Sequence, residues 1–290
     1  MSELNKFEKY LLENLNRLAR TGYKDENPRG KYKSDGTPAH SFSIRGSVFE
    51  TFDLHNNEFP ITETRPIHIT KSIEEILVIY QDQSNKIEDF EKRGVNWWKD
   101  WEVDNSGTIG QRYGATVAKY NLMNDLLEGL DNNPFGKRHL LDLYQYADLN
   151  ETIGLHPCAF LTMWTVSKVG EERFLDLTLI QRSSDALVAG TGINQIQYVA
   201  LQMMVAKHLG IKVGLFEHLR KNWHVYDRHQ EQLEETYNRI SQLKKREVQS
   251  QPKLILNVPD GTDFYNIDAD DFELVNYNPI EPQLKFDLAI

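Results

Sequence analysis

Residues 157–182, PCAFLTMWTVSKVGEERFLDLTLIQR, hold two strand-like runs, 157–168 and 173–182. In the second run Leu175, Leu177 and Leu179 fall on one face. Asp176, Thr178, Ile180 and Arg182 fall on the other, the period of two that a strand imposes. The strand ending at Arg182 is expected beside the strand beginning near Cys158, which brings a guanidinium within reach of the thiol. Outward from this pair, 193–209 reads as a long helix, with Lys207 and His208 in its last turn and Gly210 as its stop. Residues 213–226 read mostly as strand. Further strands are expected at 48–54, 138–145, 253–258, 272–277 and 284–289. Amphipathic spacing predicts helices over 3–19 and 122–130, and a charged helix over 230–245. Residues 22–38 read as loop. Ser72 is expected to cap a helix that buries Ile73, Ile76, Leu77 and Tyr80, with Glu75 three residues on as in a capping box. No repeat, low-complexity tract or linker interrupts the chain. The expectation is one α+β or mixed α/β domain spanning 1–290.

The composition bounds the function. The chain has 290 residues, 40% hydrophobic and 26% charged, with 11% aromatic content that a disordered chain would lack. A formal net charge of −10 disfavours nonspecific nucleic-acid binding but leaves room for a small anion held by a few Arg side chains. One Cys excludes an intramolecular disulfide and a multi-Cys zinc site. No His, Asp or Glu cluster reads as a zinc site, so no metal is expected. No apolar run is long enough to span a bilayer, and the first residues lack a signal-peptide pattern, so the expected location is cytoplasmic.

Each candidate for chemistry has a plainer reading beside it. Cys158, in His156-Pro157-Cys158-Ala159-Phe160, is either a buried structural thiol or a nucleophile activated by a cationic neighbour. Gln181-Arg182-Ser183-Ser184-Asp185 is either a solvated turn or a ligand site at a strand end. Gly190-Thr191-Gly192 is a tight turn or a weak phosphate cradle. His224 and Tyr226 share a strand face that suits either a sugar or a core. Lys137-Arg138 reads as an exposed basic pair. Glu75 lies on the apolar side of its helix, where a carboxylate is either paired or functional. Three Trp, at 97, 98 and 101, fit no single buried face, so some should line a pocket.

Taken in order, these motifs resemble the thymidylate synthase family. The resemblance rests on Pro157-Cys158, Gln181-Arg182-Ser183-Ser184-Asp185, Asn194 four before Tyr198, and His224-Val225-Tyr226. Upstream it includes Glu75 in its helix, Trp98-Lys99-Asp100-Trp101 and Tyr113-Gly114. Downstream it includes Asp270-Asp271-Phe272-Glu273-Leu274 and the terminal Ala289-Ile290. It covers roughly 29–290.

The resemblance implies a single domain with a mixed, largely antiparallel sheet flanked by helices, dimerising through the sheet face. It implies reductive methylation of dUMP to dTMP with 5,10-methylenetetrahydrofolate as donor of carbon and hydride, and no metal. Cys158 is then the nucleophile toward C6 of uracil. Glu75 and Tyr113 manage protons, and Asn194 reads the base. His224 and Tyr226 hold the ribose. Arg29, Arg182 and Ser183 bind phosphate, with Lys137 and Arg138 supplied by a second subunit. Trp98, Trp101 and Asp185 face the pterin, and Ala289 lies in a tail that closes over it.

Some positions depart from the family pattern. Ala159 stands where many members have His, Lys137 replaces an Arg, and the stretch from Asp185 to Asn194 lacks the usual Gly-x-Pro-Phe and is one residue longer. The alternatives are a dUMP or dCMP hydroxymethylase of the same fold, in which water quenches the intermediate, and a catalytically silent nucleotide- or RNA-binding protein.

Overall fold

Strands β5 (Ala159–Val169) and β6 (Glu172–Gln181) pair antiparallel, with one register shift between Ala159 and Leu161, and the alternating Leu175, Leu177 and Leu179 of β6 share one buried face. The computed structural model describes residues 4–246 and 250–290. In chain order the remaining elements begin with α1 (Lys6–Thr21), β1 (Tyr23–Lys24), β2 (Ser41–Ser43), β3 (Ser47–Asp53), α2 (Ile69–Tyr80) and α3 (Ile87–Lys92). There follow α4 (Gly114–Lys119), α5 (Leu122–Asn132), β4 (Leu140–Asp142) and α6 (Tyr146–Glu151). After β6 come β7 (Ser184–Asp185), α7 (Ile193–His208), β8 (Lys212–Lys221), β9 (Trp223–Tyr226), α8 (Gln230–Leu243), β10 (Lys253–Leu256) and β11 (Phe272–Val275).

The main sheet has the order β3-β8-β6-β5-β4, parallel only between β6 and β8, which are joined by the crossover helix α7. The mixed, largely antiparallel sheet that the family resemblance implies is therefore observed. Its inner face carries Leu175, Leu177, Leu179, Phe52 and Phe216, all fully buried. Helix α7 packs on this face, with α2 against it. Where the β6–β8 register shifts between Leu175 and Leu177, Gln202 of α7 donates to the carbonyls of Leu175 and Leu215, at 2.8 and 3.0 Å. The irregularity thus leaves neither carbonyl unpaired in the core. On the opposite face, Phe49, Leu219, Ile180 and Leu161 align in register across four strands, and none is buried.

Several local expectations need correction. Ser72 does not cap α2, which starts at Ile69 with His68 before it. Ser72 sits inside the first turn and its hydroxyl bonds back to the His68 carbonyl at 2.8 Å. The predicted strand 138–145 is only Leu140–Asp142, because Asp142 turns the chain by accepting from Tyr144 N at 2.8 Å. The run 213–226 is two strands, broken at Asn222, whose φ of +43° turns the chain out of β8. Residues 284–289 form no strand among the described residues. Their alternation is used to pack Phe286 against His229 and Arg65, and one bridge joins Ala289 to Tyr32.

Candidate active site

The first two residues of the site, Cys158 and Arg182, flank the ends of β5 and β6. The ladder continues past β6 through Arg182 N, which donates to Cys158 O at 2.9 Å. That fixes the Arg182 backbone beside the thiol. Arg182 Nη2 then lies 3.6 Å from Cys158 Sγ, while Nε and Nη2 donate to the carbonyls of Pro157 and His156 at 2.9 and 2.6 Å. Burial pushes the Cys158 thiol up, and the charges of Arg182 and Arg29 pull it back down. Cys158 N donates to the Tyr113 hydroxyl at 3.4 Å.

Tyr113 is placed by strain that Gly114 permits. It has φ +48°, and a Cβ on Gly114 would stand 2.1 Å from the Ser84 carbonyl. That is the physical basis of the Tyr-Gly pair. Burial raises the Tyr113 phenol well above its ordinary range, so it stays a neutral hydroxyl.

Glu75 lies on the buried side of α2, 7% exposed, as its helical position implied. Its oxygens accept from Trp97 Nε1 at 2.9 Å, Trp98 Nε1 at 3.1 Å and Gln197 Nε2 at 2.8 Å. Burial pushes its carboxyl up to about 7, against the downward pull of those donors. A carboxyl at that value exchanges protons readily near neutral pH. Two of the three Trp thus serve the carboxylate, which explains the indoles that no single face could bury. Trp101 remains half-buried.

Asn194, at the start of α7, joins this cluster. Its Oδ1 accepts from Gln181 Nε2 at 3.1 Å and its Nδ2 donates to Gln197 Oε1 at 3.0 Å. Among the described residues, one donor hydrogen and one acceptor lone pair of its amide have no partner. Between Asp185 and Asn194 the chain forms a turn that Asp185 Oδ1 caps, accepting from Leu187 N at 3.0 Å and Val188 N at 3.3 Å. Gly190-Thr191-Gly192 serves as that turn's structural end. Gly190 O takes Arg220 Nη1 and Gln195 Nε2, and Thr191 Oγ1 takes Arg65 Nη2.

A second small sheet, β1-β2-β9-β7, gathers the polar end of the site. Asp185 pairs with His224 in register, and Ser41 pairs with Tyr226. His224 Nδ1 faces the Asn222 carbonyl at 2.8 Å and must donate to it, which leaves Nε2 as an acceptor. Burial, with the Asp185 charge next, pushes the Tyr226 phenol up to about 12. Arg29 is exposed but close enough to act electrostatically on Cys158, and Ser183 is half-buried after Arg182. The tail is docked beside Arg29. Ile290 N donates to Lys31 O at 2.9 Å, Lys31 N donates to Ile290 O at 2.8 Å, and Lys33 Nζ reaches Asp100 of the Trp loop at 2.6 Å.

Two predicted members stand apart within this chain. Lys137 and Arg138 are exposed in the turn after α5, and among the described residues neither has a hydrogen bond or ion pair. Sequence reasoning passed over Trp97, Gln197 and His218 as site residues. The available signal for Gln197 was its spacing, three after Asn194 on one helical face.

The family described as thymidylate synthase matches residues 9–290. A thymidylate synthase of Streptococcus pneumoniae (strain 70585) is 51% identical over 279 residues, covering 96% of this chain and 97% of that protein. One from Streptococcus gordonii is 52% identical over the same shares of both chains. Among solved structures, a thermostable thymidylate synthase A from Bacillus subtilis superposes with a TM-score of 0.85 at 33% identity, covering 98% of this chain and 99% of that one.

Proposed function

This chain belongs to the thymidylate synthase family, and from that premise we propose how its own residues perform the reaction. The activity is the reductive methylation of dUMP to dTMP. The observation that carries the assignment of roles is the 3.6 Å approach of Arg182 Nη2 to Cys158 Sγ.

Arg182 stabilises the thiolate at Cys158. Sγ adds to C6 of the uracil ring, forming the S–C6 bond and moving the C5–C6 electron pair toward C5 and O4. C5 thereby becomes nucleophilic. The free N–H of Asn194 meets O4 and the free lone pair of its Oδ1 meets N3–H, so the developing charge on O4 has a fixed donor. Glu75 exchanges a proton at O4 and, with the Tyr113 hydroxyl, removes the proton from C5. Once C5 carries the one-carbon unit and a hydride has completed it to a methyl group, the S–C6 pair leaves with sulfur, which restores the C5–C6 double bond and frees Cys158 as the thiolate. His224 Nε2 accepts from the ribose 3′-hydroxyl, beside Tyr226.

The residues fit a folate as well. Asp185 Oδ2 has no partner among the described residues and offers an acceptor to a pterin N–H, and the half-buried Trp101 offers an aromatic face. When bound, 5,10-methylenetetrahydrofolate supplies the one-carbon unit and the hydride. Trp98 supports that side of the site through Glu75, and the Ala289-Ile290 tail, already pinned to Lys31, closes it.

Arg29, Arg182 and Ser183 bind the phosphate. Lys137 and Arg138, which have no hydrogen bond or ion pair among the described residues, reach the phosphate site of a second copy, because Arg182 already commits Nε and Nη2 to the carbonyls of Pro157 and His156 and leaves a dianion under-neutralised by Arg29 alone. The uncovered row of Phe49, Leu219, Ile180 and Leu161 is the surface on which two copies meet, in an isologous dimer. The whole of 1–290 acts as one unit. A nucleophile that must stay a free thiol suits a reducing, cytoplasmic setting.

The test is purified protein with dUMP and 5,10-methylenetetrahydrofolate, following dihydrofolate by absorbance. Stoichiometric dTMP and dihydrofolate are expected. Hydroxymethylated nucleotide without dihydrofolate would instead assign a hydroxymethylase.

A further inference from the structure

We propose that Gln197 is a positioning residue that ties the amide orientation of Asn194 to Glu75, so that base choice and proton management are set by one hydrogen-bonded chain running from His218 to Glu75. The proposal rests on the roles given above to Asn194 and Glu75.

The chain has a single direction. His218 Nε2 lies 2.9 Å from Gln181 Oε1, Gln181 Nε2 donates to Asn194 Oδ1 at 3.1 Å, Asn194 Nδ2 donates to Gln197 Oε1 at 3.0 Å, and Gln197 Nε2 donates to Glu75 Oε2 at 2.8 Å. Carboxamides can turn over, so the direction needs anchors, and there is one at each end. Gln181 Nε2 also donates to the Ser183 carbonyl at 2.9 Å. A carbonyl only accepts, which fixes the Gln181 amide and requires His218 to carry its proton on Nε2. At the other end an ionised Glu75 only accepts, which fixes Gln197 with its oxygen toward Asn194. Both anchors independently demand the same Asn194 orientation.

That orientation leaves Asn194 with one free donor and one free acceptor, the complement of uracil O4 and N3–H. Cytosine needs the reverse. Turning Asn194 over would set its NH2 against that of Gln181 and its oxygen against that of Gln197. Gln197 could follow only by turning its oxygen onto Glu75, which is tolerated only when Glu75 holds a proton. Gln181 cannot follow, because Ser183 and His218 hold it. Burial keeps His218 neutral, and its Nδ1 has no partner among the described residues, so the ring's one proton is committed to the chain. Among the described residues, Gln197 is therefore the hydrogen-bonded link through which the ionisation of Glu75 reaches the base-reading amide.

Two variants separate the two arms of this coupling. Gln197→Met keeps the length and removes both hydrogen bonds. Gln197→Glu keeps an acceptor for Asn194 Nδ2 but sets a second carboxyl against Glu75. Two readouts are taken: the ratio of dCMP to dUMP dissociation constants, and the titration of Glu75 followed by its protonated-carboxyl infrared band, identified by its loss in Glu75→Gln. For Gln197→Met the ratio should fall about tenfold and the midpoint rise by about one pH unit, the worth of one hydrogen bond to a charged group. For Gln197→Glu the ratio should hold while the midpoint rises by at least as much. A folded Gln197→Met protein that keeps both the wild-type ratio and the wild-type midpoint, or loses only melting temperature, overturns the coupling. A wild-type protein that does not turn over dUMP overturns the functional reading instead, so the two failures are distinct.

Discussion

Arg182 Nη2 stands 3.6 Å from Cys158 Sγ while the same guanidinium is held by the carbonyls of Pro157 and His156. A cation fixed by two neutral acceptors keeps its full charge for the thiol. Burial raises the Cys158 pKa and Arg182 is the first group to oppose it. Arg182→Gln should therefore lower the thiolate fraction. Alkylation of Cys158 by iodoacetamide near neutral pH should slow about tenfold or more, the equivalent of one pKa unit. An unchanged alkylation rate would remove Arg182 from thiol activation.

The site's choice of base should be reversible at one position. Asn194→Asp presents a carboxyl that accepts from the 4-amino group of cytosine and, when protonated, donates to its N3. The variant should lose preference for dUMP and gain reactivity with dCMP, since mismatched buried polar groups discriminate strongly. Steady-state kinetics with both nucleotides decide it. An unchanged dUMP-to-dCMP ratio would place another residue at the base edge.

If Lys137 and Arg138 serve the partner's phosphate site, two dead variants should revive each other. Arg138→Ala and Cys158→Ala, each inactive alone, should regain activity when mixed under conditions of subunit exchange, up to about a quarter of the wild-type rate if exchange is random. Absence of activity despite exchange shown by mass labelling would refute the shared site.

A buried carboxyl far from the chemistry governs stability. Glu8 of α1 is 1% exposed and accepts from Glu63 N at 2.6 Å. Burial, with the nearby Glu63 charge adding to it, pushes its carboxyl from 4.5 to about 8. Below the lower value both folded and unfolded chains hold the proton and stability is full. As pH rises toward the upper value only the folded chain retains it, and stability falls by about 1.4 kcal/mol per pH unit. Glu8→Gln should remove that slope. Urea unfolding from about pH 5 to about pH 7.5 reads it, and equal slopes in both proteins would count against a protonated Glu8.

Much of this was legible in the sequence where one residue carried one signal. The alternation in β6, the Gln181-Arg182 strand end and the apolar spacing around Glu75 gave the sheet, the guanidinium beside the Cys158 thiol and the buried carboxyl. The role of Trp97 was hidden, because nothing local says that an indole N–H points to a carboxylate 22 positions away. Gln197 and His218 were hidden for the same reason, and Gln181 was legible only as part of its strand-end motif. Each is an ordinary polar residue until the β6–α7–β8 unit stacks their amides in a line. Ser72 misled in the opposite sense: a hydroxyl followed three residues later by Glu75 looked like a cap, but the apolar stripe of α2 extends the helix to Ile69 and leaves the hydroxyl inside it.

The proposed chemistry depends first on the Cys158 thiol. Incubation with 5-fluoro-dUMP and 5,10-methylenetetrahydrofolate, followed by mass spectrometry of the intact protein and of its peptides, tests it most directly. The prediction is a mass increase equal to nucleotide plus folate, localised to Cys158 and absent from Cys158→Ala, which also loses turnover while still binding dUMP. A Cys158→Ala protein that turns over dUMP at a near-normal rate, or an adduct found elsewhere, would contradict it.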